Sequence, residues 1–257
     1  MDGSECSSFG EVDGVYFCPE LSARGGRPLV GVFRDRWHAG RVLAGFLRLL
    51  IEAGRLPRPS VVYAIPAGGV PVGVVVAEEL GVPLDVVVVK KVLYPWTTEA
   101  GFGAVAPGGV VVLDEAEASR LPGEAVEAAV AEAAGRVEER LRLLRGGAGY
   151  EGLEGEPVLV VDDGIAAGWT MLAACRFLRG LGASYVAAAA PTGSVDGCLR
   201  VRGCADAVAV VNLRGGPVFA VADAYLEWRD LSDWEVLEVL REAEARGVYR
   251  PRRGSRE

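Results

Sequence analysis

The stretch VLVVDDGIAAGWT, Val158 to Thr170, decides the fold. A run of β-formers leads into two adjacent carboxylates, Asp162 and Asp163, and then into a Gly/Ala loop that opens an apolar helix near Gly168. Such a strand, acidic pair, loop and helix make a cradle for a phosphorylated sugar. The carboxylates can accept hydrogen bonds from two vicinal hydroxyls. The bare backbone N–H groups from Gly164 to Thr170, at a helix N-terminus, can surround a phosphate.

Outward from that stretch, apolar runs alternate in period. Val61 to Ile65, Leu84 to Val89, Val110 to Leu113, Tyr185 to Ala190 and Ala207 to Val211 predict strands. Helices are predicted from Asp35 to Ile51, Val70 to Leu80, Glu124 to Leu144 and Gly168 to Leu181, with a short one near Val195 to Val201. Val-rich strands between helices imply an α/β fold with a parallel sheet covered by helices on both faces. Ligands of such sheets sit at the carboxyl ends of the strands. That rule puts Pro66 to Gly69, Lys90 and Lys91, Asp114 and Glu115, and Asp162 to Thr170 on one rim. Residues 1–31 are expected to form an irregular lead-in, 32–245 a single domain, and 246–257 a solvated Arg-rich tail.

The 257 residues are about half apolar (51%) and can bury a full core. A net charge of −8 argues against a nucleic-acid surface, although local dipoles can still hold a small anion. Five cysteines without a C-x-x-C pair predict neither a disulfide framework nor a zinc site. No basic, apolar leader and no membrane-length apolar run is present, so a soluble, cytoplasmic protein is expected. The chain has no Gln, one Asn (Asn212) and two Lys. Few thermolabile amides fit a thermophile, and GC-rich coding would give the same bias.

Val158 to Thr170 resembles the phosphoribosyl-diphosphate (PRPP) signature of the type I phosphoribosyltransferases, with Gly164 where that pattern usually has an aliphatic residue. FRDRWHAGRVLAGFL (33–47), YAIPAGGVPVG (63–73), LDVVVVKKV (84–92), EAGFGAVAPGGVVVLDE (99–115) and WEVLEVL (234–240) are similar, in the same order, to blocks of a little-characterised prokaryotic group of predicted phosphoribosyltransferases. The resemblance implies transfer of the phosphoribosyl group of PRPP to a nitrogen nucleophile such as a nucleobase, with release of diphosphate. It gives the ribose hydroxyls to Asp162 and Asp163, and the 5′-phosphate to Gly164, Ala166, Ala167, Gly168, Trp169 and Thr170. The diphosphate goes to a loop of Ala67, Gly68 and Gly69. Mg²⁺ would be held mainly by the ligand, with Asp162 and Asp163 as protein contacts. Tyr94 to Gly109, with Trp96, Glu99 and Phe102, would be a flexible hood loop. A homodimer is left open.

The chain departs from that pattern in places that bear on catalysis. Ala67 stands where the group usually has Arg, removing a charge-assisted contact of a class worth about 1.5–3 kcal/mol. Lys90 and Lys91 are the candidate replacements. Strand alternation lets at most one reach the site directly, and a solvated strand end is the competing reading. Where 6-oxopurine enzymes carry an Asp near the base, this chain has Ile165, Ala166 and Ala167, so no general base is visible. Ala167 leaves Thr170 as the loop's one side-chain donor. Gly101 to Ala106, GFGAVA, fits G-x-G-x-x-A but neither follows a strand directly nor opens a helix, which excludes a dinucleotide fingerprint. Asp114 and Glu115 read as metal-facing carboxylates or as a helix start. His38 reads as a surface or packing residue. Pro217 to Trp228, with Phe219, Tyr225 and Trp228, reads as a base-stacking cap or a core patch. Two other functions share the cradle: a PRPP- or nucleotide-binding regulatory module, and a phosphosugar or nucleotide hydrolase.

Overall fold

A computed structural model describes residues 6–24, 27–97, 100–216, 219–252 and 254. In chain order the elements are β1 (Gly10–Val12), β2 (Val15–Phe17), α1 (Pro19–Ser22), β3 (Ala23–Arg24), β4 (Arg27–Pro28), α2 (Arg36–Glu52), β5 (Val61–Ala64), α3 (Gly69–Leu80) and β6 (Leu84–Val86). Next come β7 (Lys90–Leu93), β8 (Gly101–Ala106), β9 (Val110–Leu113), α4 (Glu115–Ala118) and α5 (Gly123–Arg145). The chain continues with β10 (Pro157–Val161), α6 (Trp169–Gly180), β11 (Tyr185–Ser194), α7 (Val195–Arg202), β12 (Ala207–Arg214) and α8 (Asp233–Ala245).

The main sheet has the order β1-β2-β12-β11-β10-β5-β6, parallel from β2 to β6. Period-two alternation splits its side chains between two cores. Leu159, Val161, Val62 and Ala64 join Leu43, Phe46, Val74 and Val236 from α2, α3 and α8. Val158, Val160, Val61 and Tyr63 join Met171, Leu178, Cys198 and Val201 from α6 and α7. Helices therefore cover both faces, as the Val-rich strands predicted. No helix of the described residues is long and apolar enough to cross a membrane.

Five expectations are corrected. Within the lead-in expected to be irregular, β1 and β2 form an antiparallel hairpin, and β2 joins the main sheet beside β12. Its strands are too short to show a period. Cys6 and Cys18 of the same segment are joined as a disulfide, which the cysteine spacing did not predict. The strand expected over Leu84 to Val89 ends at Val86, because the Tyr150 hydroxyl donates to Val86 O (3.0 Å) and accepts from Val88 N, taking the place of a neighbouring strand.

The expected hood loop and solvated tail are also structured. β7, β8 and β9 form a separate three-stranded antiparallel sheet. The glycines that suggested a loop instead allow close strand contact: a Cβ on Gly103 would lie 2.3 Å from Val112 O. In the tail, Leu84 N donates to Val248 O and Arg250 N to Leu84 O, so the chain pairs along the edge of β6. Arg252 grips Glu156 with two bonds of 2.6 and 2.8 Å, and its backbone N–H donates to Asp85. Asp85 in turn is fully buried in an ion pair with Arg145.

Candidate functional site

β5 and β10 are adjacent and parallel, but the chain leaves β5 toward β6 and leaves β10 toward β11 on the other side. This divergence opens a crevice beyond their carboxyl ends, where ligands of doubly wound sheets bind. The loop after β5 is 65–69 and the loop after β10 is 162–168. They pack so tightly that a Cβ on Gly68 would lie 1.7 Å from Asp163 Oδ2, and one on Gly69 would lie 2.9 Å from Asp162 Cα. The paired glycines are therefore required by the acidic pair, a reason beyond a plain turn. The sequence reading thus placed Ala67, Gly68, Gly69, Asp162 and Asp163 correctly on one rim.

The two carboxylates stand in different surroundings. Arg36, in the first turn of α2, donates from Nε to Asp163 Oδ2 at 2.8 Å and from Nη1 to the Arg229 carbonyl, with its guanidinium carbon 3.9 Å from the centre of the Trp228 ring. Burial raises the Asp163 carboxyl, and Arg36 draws it back down. Asp162 has no ion pair among the described residues. Burial and repulsion from Asp163 hold its carboxyl well above the usual carboxylate range, against a smaller pull from Lys91. The Tyr225 hydroxyl supports the pair from behind, donating to Asp163 O at 2.6 Å.

The loop after β10 keeps backbone donors free. Ile165 bridges to Gly193, Ser194 Oγ donates to Ala166 O, and Arg200 Nη1 donates to Ala167 O. These bonds occupy loop carbonyls. No backbone N–H from Ala166 to Thr170 donates to another backbone group among the described residues. Gly168 caps α6 in the left-handed region (φ 84°), where a Cβ would lie 2.5 Å from Gly197 O. The result is the N-terminus of a twelve-residue helix that has no side-chain cap, where orphan donors and the positive dipole end suit an anion. Gly164 has its own reason: a Cβ there would lie 2.4 Å from Val221 Cγ1. Val221 fills the space the expected aliphatic side chain would take.

Other candidates take different places. Lys90 and Lys91 open β7 in the small sheet instead of ending a main-sheet strand. Lys90 is half-buried; burial and the nearby Arg140 lower its pKa, whereas Lys91 is exposed and acts on Asp162. Phe102 is a core residue packed on Tyr94, so it cannot close over a ligand. Trp96 is 72% exposed and stacks on Tyr94, while Glu99 lies outside the described residues. β9 is antiparallel and outside the main sheet, so Asp114 and Glu115 are not on the rim; Asp114 caps α4. His38 Nδ1 accepts from Arg34 N. Tyr225 is buried, and Phe219 lies under Arg214; Pro217 lies outside the described residues.

Sequence reasoning missed Arg36 and Val221 as parts of the site, and read Tyr225 as a base-stacking or core residue where it supports Asp163. It also missed Arg140, buried with Nη1 on Pro66 O (3.2 Å) and ion-paired to Asp233. Arg36 and Tyr225 lay in segments already singled out, but 127 residues separate Arg36 from Asp163 and no local pattern joins them. Val221 also lay in a singled-out segment, Pro217 to Trp228, whose aromatics drew the reading; for Arg140 the sequence held no signal.

A family model described as the phosphoribosyl transferase domain matches residues 43–209. Two Mycobacterium tuberculosis proteins, each named "Putative phosphoribosyl transferase", are 38% identical over 211 residues, covering 81% of this chain. The chain spans 46% of the length of those relatives. A Thermus thermophilus protein of known crystal structure is 35% identical, with a TM-score of 0.63 over 82% of this chain and 98% of that one. Crevice, acidic pair and donor loop therefore stand in a chain that belongs to the phosphoribosyl transferase domain family.

Proposed function

We propose that the protein binds PRPP and transfers its phosphoribosyl group to a nitrogen nucleophile. The observation that carries this reading is the packing of Gly68 and Gly69 against Asp163 and Asp162. It brings the glycine loop after β5 against the carboxylates of the loop after β10, which supports reading the first as a diphosphate contact and the second as the holders of the ribose hydroxyls of the same ligand. Asp162 and Asp163 accept from the hydroxyls. The N–H groups of Ala166 to Thr170 take the 5′-phosphate, and Lys91 adds positive charge near the acidic pair. No described group of three or more His, Cys, Asp or Glu forms a metal cage. Asp162 and Asp163 suit Mg²⁺ carried mainly by ligand oxygens, since Mg²⁺ commonly uses one or two carboxylates plus phosphates. When bound, Mg²⁺ neutralises the leaving diphosphate.

The nucleophile's nitrogen lone pair forms the bond to C1′ as the C1′–O bond to diphosphate breaks, and diphosphate leaves with that electron pair. Positioning and exclusion of water are what the chain supplies. Ile165, Ala166 and Ala167 offer no base, so the acceptor must lose its proton to solvent or to the departing diphosphate. Incubation with PRPP, Mg²⁺ and a panel of purine and pyrimidine bases, with diphosphate and nucleotide measured, tests the reading. Nucleotide formed in step with diphosphate supports transfer. Diphosphate without nucleotide supports the hydrolase.

The regulatory-module reading is favoured by one feature, the absence of a side-chain cation at Ala67 in the diphosphate loop itself. PRPP binding with no turnover across the panel would establish it.

A further inference from the structure

Resting on the PRPP reading, we propose that Arg36 is the cation of the diphosphate subsite, supplied across space in place of the side chain missing at Ala67. Three features of the loop and of Arg36 lead there. Arg36 Nε lies 3.0 Å from the position of a Cβ on Gly68, so the guanidinium lies against the bare face of the loop. The same Cβ position is 1.7 Å from Asp163 Oδ2, so the Asp163 carboxylate fills the bare face of Gly68 and a polyanion approaching the loop meets its negative charge. Finally, Arg36 spends Nε on Asp163 and Nη1 on Arg229 O, while Nη2 makes no hydrogen bond among the described residues.

These facts assign Arg36 two linked tasks. It neutralises the Asp163 charge that would repel a diphosphate, and it keeps a donor in reserve for that diphosphate. Its placement is well defined. The side chain is 9% exposed, its guanidinium carbon lies over the Trp228 ring, and the Asp35 carboxylate caps the helix that carries it by accepting from His38 N at 2.7 Å. A guanidinium fixed in this way loses less freedom on meeting a phosphate oxygen than a lysine on an open strand would. Lys91, exposed on β7, is the less ordered cation of the two.

The test separates diphosphate from ribose by using two ligands, PRPP and ribose 5-phosphate, each titrated with Mg²⁺ by calorimetry. Both carry the ribose hydroxyls and the 5′-phosphate, and only PRPP carries the diphosphate. Arg36→Gln is expected to weaken PRPP about 10- to 100-fold, the range for losing one charge-assisted contact, and to change ribose 5-phosphate less than about threefold. Adding Ala67→Arg to Arg36→Gln should restore most of the PRPP affinity. Equal weakening of both ligands with no restoration would overturn the proposal and make Arg36 only a positioning residue for Asp163.

Should Arg36→Gln fail to fold, Ala67→Arg alone still decides. With Arg36 already in the subsite, it should tighten PRPP less than about threefold; a gain of about tenfold or more would mean the subsite lacks its cation and the proposal is wrong. Wild-type protein that binds neither ligand rejects the phosphoribosyl reading itself, and the proposal falls with it. Wild-type binding of both, with variants that do not separate them, rejects the proposal alone.

Discussion

Val221 occupies the space a side chain at Gly164 would need, its Cγ1 lying 2.4 Å from the position of a Cβ on that glycine. The two residues sit on different segments, one in the acidic-pair loop and the other in the turn at 221–224. Gly164→Ile should therefore destabilise the protein by about 1–3 kcal/mol, the usual cost of overpacking. Val221→Ala in the same chain should recover at least half of it. Chemical denaturation of the two single variants and the double variant checks the coupling, and purely additive losses would contradict it.

Asp162→Asn should raise the melting temperature by roughly 2–4 °C at neutral pH while abolishing PRPP binding. Burial and the charge of Asp163 hold the Asp162 carboxyl well above its range in the unfolded chain. The folded state thus keeps this proton to higher pH, and stability falls as pH rises from the ordinary carboxylate range through the raised value. The destabilisation is absent below that window and complete above it. Melting temperatures from about pH 4 to 8 should show a downward trend that Asp162→Asn flattens.

Lys91 and Lys90 should differ in effect although they are neighbours. Lys91→Ala is expected to weaken PRPP about 3- to 10-fold, an exposed cation acting on Asp162, with the loss shrinking at high salt. Lys90→Ala should change PRPP binding less than about twofold, because its charged surroundings are Arg140 and Asp233. Calorimetry at two ionic strengths distinguishes them, and equal losses would show that both reach the ligand.

Removing one member of the Asp85–Arg145 pair should cost about 3–5 kcal/mol, since each side chain is fully buried and the survivor would be left unpaired. Asp85 also accepts from Arg145 Nε, Val86 N and Arg252 N, so Asp85→Ala should loosen residues 250–252 as well. Hydrogen exchange at Arg250 and Arg252 reads that second effect, and unchanged protection would limit the pair's role to joining β6 and α5.

The alternation of strands and helices was legible because main-sheet strands buried on both faces read as unbroken Val runs, and the helices kept their apolar spacing. Asp162, Asp163 and the Gly68–Gly69 loop were legible because a site at strand ends is built from short contiguous segments. What failed was whatever depends on a distant partner. Leu84 to Val89 reads as one strand, and the Tyr150 hydroxyl at Val86 and Val88 cuts it short. Gly101 and Gly103 read as loop residues, although in β8 they answer the close approach of Val92 O and Val112 O. Arg36 looked like any helix arginine until the fold brought it to Asp163.

The segment that closes along β6 has a consequence for the molecule among its neighbours. A strand edge without a partner offers its backbone groups to any other chain in extended form, and such edges seed self-association. Here Val248 and Arg250 take up the hydrogen bonds of Leu84, and the Arg252 grip on Glu156 holds that cover in place. Loosening the cover would show first in light scattering, as a protein that still folds but no longer keeps to itself.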